Sequence, residues 1–108
     1  MQTEYVVVMI TAPSNEVAAE IADALLSAEL AACVNILPPI QSHYIWQGQR
    51  QQEEEVLLIA KTRFELFDDT FIHAVKSVHP YEVPEIIALT IAAGSQDYLA
   101  WISDVTVK

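Results

Sequence analysis

The 108-residue sequence predicts a single α+β domain with the element order β-α-β-β-α-β and a short C-terminal helix. Three observations carry that reading. Apolar residues recur at helical spacing in two separate stretches, the signature of amphipathic helices. Runs of strand length, rich in Val and Ile, stand before, between and after them, and Pro or Gly punctuates the junctions, as turns require.

The first strand is predicted over Glu4 to Thr11, stopped by Ala12-Pro13. Ser14 is placed as a helix N-cap, with Glu16 in the first turn where the helix dipole favours an anion. Val17, Ile21 and Leu25, with Ala18 and Ala22 beside them, then predict a helix to about Glu29. A second strand follows over Ala31 to Leu37, is broken by Pro38-Pro39 and resumes from Gln41 to Gln47. Gly48 supplies a turn, and Gln51 to Thr62 returns as a long third strand. Phe67, Phe71, Ala74, Val75 and Val78 predict a second helix, which His79-Pro80 ends because proline cannot continue it. Glu85 to Ile91 reads as the fourth strand. Gly94 breaks the chain, and Ser95 is predicted to cap a final helix carrying Tyr98, Leu99, Trp101 and Ile102.

This order is the ferredoxin-like, split βαβ sandwich, with the first and third strands central and both helices on one face. Val6 to Ile10 and Val56 to Ala60 are apolar at every position rather than every second one, which predicts burial on both faces of the sheet. The two helices account for one face, and the final helix is too short to cover the other. At roughly 25 cal/mol per Å² of apolar surface, leaving that face wet would forfeit many kcal/mol. The open face is therefore expected to meet other subunits. Hydrophobic residues make up 53% and charged residues only 19%, a composition that leaves little charge to coat an isolated chain.

The formal charge of −10 argues against nucleic acid, which demands clustered Lys and Arg, and against an anionic membrane surface. The same field gathers cations. A single cysteine, Cys33, excludes an intrachain disulfide, and the apolar run Val6 to Ile10 is too short for a signal sequence or a membrane span. Both point to a cytoplasmic protein.

Six stretches spread along the chain in order resemble the CutA family of divalent-cation tolerance proteins. They are Thr11-Ala12-Pro13, the run from Leu30 to Ile36, Tyr44-x-Trp46-x-Gly48, Lys61-Thr62, the run from His79 to Glu85, and Tyr98-Leu99-x-Trp101. The resemblance implies a homotrimer, PII-like in architecture, whose sheets face one another around a threefold axis. It also implies a role in tolerance of divalent metal ions, with no cofactor required and Cu(II) or another divalent cation as the bound species. The copper ligands proposed in one bacterial branch fall here on Ile10, Val78 and His79, so only His79 offers a donor atom.

Several residues invite two readings. His79 is either a histidine satisfying helix carbonyls at a C-terminus or a metal ligand with Glu82 nearby. Cys33 and Asn35 alternate with Ala32, Val34 and Ile36, which turns the thiol toward the open face as a small buried group or a soft-metal ligand. Tyr44 and Trp46 share one face of the hairpin, His43 the other; the aromatics suit interface packing or the wall of a ligand cleft. Glu53-Glu54-Glu55 reads as a solvated strand start. Lys61 is placed either in an ion pair with Glu82 or Glu85 or at an anion. If the loop of His79, Pro80, Tyr81 and Glu82 lines a cleft between subunits, then Lys61, Glu82 and Trp46 are expected to converge there. The function expected is a trimeric protein responding to divalent metals. The alternative is a sensor of a small anionic or nucleotide-like molecule. An enzyme using His79 and Glu82 as acid and base ranks last, because no nucleophile–base pair accompanies them.

Overall fold

The computed structural model describes residues 3–107; the predicted domain also takes in Met1, Gln2 and Lys108, which lie outside the described residues. The elements are β1 (Tyr5–Ala12), α1 (Asn15–Ser27), β2 (Cys33–Ile36), β3 (Ile40–Trp46), β4 (Gln49–Arg63), α2 (Asp69–Lys76), β5 (Ile86–Thr90) and α3 (Gln96–Val105), with a 3-10 turn at Phe64–Leu66 before α2. The sheet runs β2-β4-β1-β5, with β3 paired to β4, and every pairing is antiparallel. β1 and β4 are central, as predicted.

Local chemistry sets the helix ends. The Ser14 hydroxyl accepts a hydrogen bond from the Val17 amide at 3.2 Å, satisfying a donor that the first turn of α1 leaves unpaired. At the other end the amide of Leu30 donates to the Leu25 carbonyl and that of Glu29 to Leu26, at 2.9 and 3.0 Å. This is a Schellman closure, and it holds Glu29 at φ 56°, a position usually given to glycine. The second helix begins later than its apolar spacing predicts. The Asp68 carboxylate caps Thr70 and Phe71, so Phe67 lies outside the helix with its ring 5.4 Å from that of Phe71. Val78 lies beyond the other end, and Lys76 is the last helical residue. Ser95 occupies the N-cap position of α3, but its side chain makes no capping bond. Gln47 and Gly48 both have positive φ, the two-residue turn whose twist suits a tight hairpin.

Alternation along the central strands separates two faces. Val6, Val8, Ile10 and Ala12 of β1 and Val56, Leu58 and Ala60 of β4 are buried with Ala18, Ile21 and Leu25 of α1 and Phe71 and Val75 of α2. The opposite face carries two paired rows: Leu89, Val7, Lys61 and Cys33, then Ile87, Met9, Ile59 and Asn35. Helix α3 reaches that side only at one end. There the Tyr5 hydroxyl meets Ser103 at 2.6 Å, Arg63 donates to the Thr106 hydroxyl and the Val107 carbonyl, and Tyr98 lies against Cys33. Ile87 and Leu89 remain 49% and 48% exposed.

Candidate functional site

The first half of β4, Gln49 to Glu55, extends past β1 and, among the described residues, pairs only with β3. Tyr44 sits opposite Gln51, Trp46 opposite Gln49 and Ser42 opposite Glu53, so these side chains share one side of the hairpin with Glu55. Facing them is the loop after α2, and His79 anchors it. The imidazole is buried; its Nε2–H donates to the Thr11 carbonyl at 2.7 Å, and its Nδ1 accepts from the Tyr81 amide at 3.2 Å. A carbonyl only accepts and an amide N–H only donates, so these partners specify the neutral ring. With the loop fixed, the Tyr81 hydroxyl donates to Glu55 at 3.0 Å and lies 3.4 Å from Glu53.

The result is a cavity of about 390 Å³ lined by Tyr44, Trp46, Gln51, Glu53, Pro80, Tyr81, Glu82 and Val83. A second of similar volume adjoins it, sharing Tyr44 and Tyr81 and adding His43, Glu55 and Glu85. Burial, then the neighbouring Glu55 and Glu53 carboxylates, push the Tyr81 phenol well above its ordinary value. Tyr44 is raised as well, by burial first and then by Glu53. The Tyr81 hydroxyl is thus held as a donor to carboxylate. Among the described residues, no three His, Cys, Asp or Glu side chains come close enough to hold a metal ion together.

Trp46, Tyr81 and Glu82 converge as the sequence suggested, but they do so within one chain. The hairpin turns back beside its own α2–β5 loop, so no neighbouring subunit is needed to bring them together. Lys61 is not with them. It occupies the row of Val7 and Cys33, and its ammonium bonds the Asn35 side-chain oxygen rather than Glu82 or Glu85. His79 has both ring nitrogens engaged, so a metal there would have to displace the Thr11 carbonyl or the Tyr81 amide. Cys33 lies level with Val7, four residues along β1 from Thr11. At about 3.3 Å per residue that is about 13 Å, too far for the thiol and the imidazole to share one ion. The sequence under-signals three lining residues. Glu53 and Glu55 read as solvated, yet Glu53 lines the first cavity and Glu55 is 5% exposed; His43 gives no distinct signal, and it borders the second cavity. Strand alternation, which puts Glu53 and Glu55 on the same side, was the available signal for the glutamates.

A family model described as the CutA1 divalent ion tolerance protein matches residues 6–105. The divalent-cation tolerance protein CutA of Thermus thermophilus is 50% identical over 93% of this chain and 96% of its own length. The rice protein named CutA 1, chloroplastic, is 46% identical over 94% of this chain, which spans 56% of that protein. The solved structure of the Thermus thermophilus protein superposes with a TM-score of 0.91 at 48% identity, covering 95% of this chain and 99% of that one. No described helix is long and apolar enough to cross a membrane. Sequence, family model and backbone agree over nearly the whole chain, which belongs to the CutA1 divalent ion tolerance family.

Proposed function

We propose that this protein acts as a PII-like homotrimer in the response to divalent metal ions, binding them weakly through its acidic surface rather than at a dedicated copper site. The observation that carries the assembly is the apolar face on which Val7, Met9, Leu57 and Ile59 are half-buried and Ile87 and Leu89 exposed. An apolar patch over the β1, β4 and β5 part of that face marks an interaction surface, and copies of the same chain are the simplest partners, with closed rotational symmetry. Three copies carry three times the −10 of one chain, a field that concentrates cations without chelating them.

Ile10 is fully buried among helix residues, and His79 is committed to the backbone, which supports loose over tight copper binding. The commitment of His79 also disfavours acid–base catalysis with Glu82, so we read the protein as a binder, not an enzyme. An anionic or nucleotide-like ligand is disfavoured too, because no Lys or Arg lines either cavity beside the hairpin. The free Cys33 suits a reducing, cytoplasmic setting.

Native mass spectrometry with and without Cu(II), Zn(II) and ATP tests this reading. Trimers carrying metal ions that are shed as ionic strength rises are expected, with no ATP retained. A monomer, or one Cu(II) per chain that survives high salt, would overturn it.

A further inference from the structure

The cavity between the hairpin and the His79–Val83 segment combines features that select a ligand class. Three aromatic side chains, Tyr44, Trp46 and Tyr81, stand around it, with Glu53 and Glu82 at its margin and no Lys or Arg in the lining. Its volume of about 390 Å³ is that of a small-molecule site and far exceeds what a bare ion fills. A hard divalent cation needs six or more oxygens at 2.0–2.6 Å, and no such cluster of acidic groups exists among the described residues. Aromatic faces, by contrast, attract ammonium groups through the ring quadrupole, and do so best when the cation is weakly hydrated.

The lining is also held in place. The Tyr81 amide is tied to His79, its hydroxyl to Glu55, and Trp46 is fixed one residue before the hairpin turn by its pairing with Gln49. From this geometry we infer that the cavity is a binding site for a small organic cation, a quaternary or alkylated ammonium, held between Trp46, Tyr44 and Tyr81 with Glu53 and Glu82 supplying the counter-charge. This binding is separate from the weak capture of divalent ions by the acidic surface, and it needs no metal.

Choline chloride serves as the probe, followed by Trp46 fluorescence in a Trp101→Phe background that leaves one indole to report. Saturable quenching is expected, absent with sodium chloride or sodium acetate at matched ionic strength. Trp46→Leu, followed by calorimetry because the reporter is lost, and Glu82→Gln are each expected to weaken choline binding at least tenfold. Both variants should keep the circular dichroism and sedimentation of the parent, because Trp46 and Glu82 are exposed. Three results would overturn the assignment: no saturable response in the parent, as when a neighbouring copy already fills the cavity; an equal response to sodium, which is the surface field alone; or unchanged affinity in both variants.

Discussion

A carboxylate withdrawn from water needs a donor, and Glu55 finds one in the Tyr81 hydroxyl at 3.0 Å. Tyr81→Phe would leave that buried acceptor short of a partner, at a cost of about 1–3 kcal/mol. The same phenol gives stability a pH dependence. Its folded pKa, like that of Tyr44, is raised above the ordinary 10.0 by burial and the nearby glutamates, so the folded state holds those protons more tightly than the unfolded state does. The contribution is therefore complete below pH about 10 and is lost as pH rises beyond it. Urea unfolding from pH 8 to 11 checks both points. The parent midpoint should fall above pH 10, and the Tyr81→Phe midpoint should start lower and fall less steeply. None of this pairing was legible in the sequence. Strand alternation put Glu53 and Glu55 on one side, but the phenol comes from a loop 26 residues on. The histidine that sets that loop bonds a carbonyl 68 residues away, a separation no local pattern encodes.

The elements themselves were largely readable, because their causes are local. Ser14 announces α1 by its hydroxyl, Gly48 marks the hairpin, and Pro80 limits α2. Where the start of α2 moved, a side chain had intervened: Asp68 takes over the cap and excludes Phe67. β2 is shorter than predicted, yet single bonds from the Ala32 amide to Lys61 and from Leu37 to Leu57 continue its pairing at both ends. The end of α1 was placed near Glu29 by periodicity alone, since no glycine there signals the left-handed closure. That closure has a consequence for stability. A side chain at φ 56° costs about 1–2 kcal/mol relative to the right-handed region, offset in part by the greater backbone freedom glycine has when unfolded. Glu29→Gly should thus raise stability by about 1 kcal/mol in chemical denaturation, and no change or a loss would mean the Glu29 side chain contributes a contact of its own.

At the scale of the molecule, the unbroken apolar runs of β1 and β4 signalled that both faces of the sheet are to be covered, but not which residue belongs to which face. Register settles it. Val7 faces Lys61 and Leu89 on the open side, whereas Leu58 faces Ile10 in the core beneath the helices. The two positions should respond differently to a buried charge. Val7→Asp is expected to keep a folded circular dichroism spectrum while dissociating the assembly, and Leu58→Asp to unfold the chain. Sedimentation velocity at micromolar concentration distinguishes the outcomes, and a stable monomer of the parent protein would remove the proposed interface. Cleft residues were harder to assign than assembly residues for the same reason: a sheet face repeats every second residue, while a cleft joins segments with no shared period.

β4 is one strand with two lifetimes. From Val56 to Arg63 it is flanked by β1, and in part by β2, so its amides open to water only when the core does. From Gln49 to Glu55 its one strand partner among the described residues is β3, and a two-stranded ribbon is marginal in water without a surface to rest on. This wing helps draw the molecule out to 45 Å along its longest axis against 26 and 24 Å across. With fewer strand partners it is expected to exchange its amides before the sheet behind it does, and to be protected by what lies beneath it: the Tyr81 loop, a ligand in the cleft, or an adjoining chain. Occupancy of the cleft and persistence of the wing are therefore linked quantities, each raised by the other, with no rearrangement of the core required.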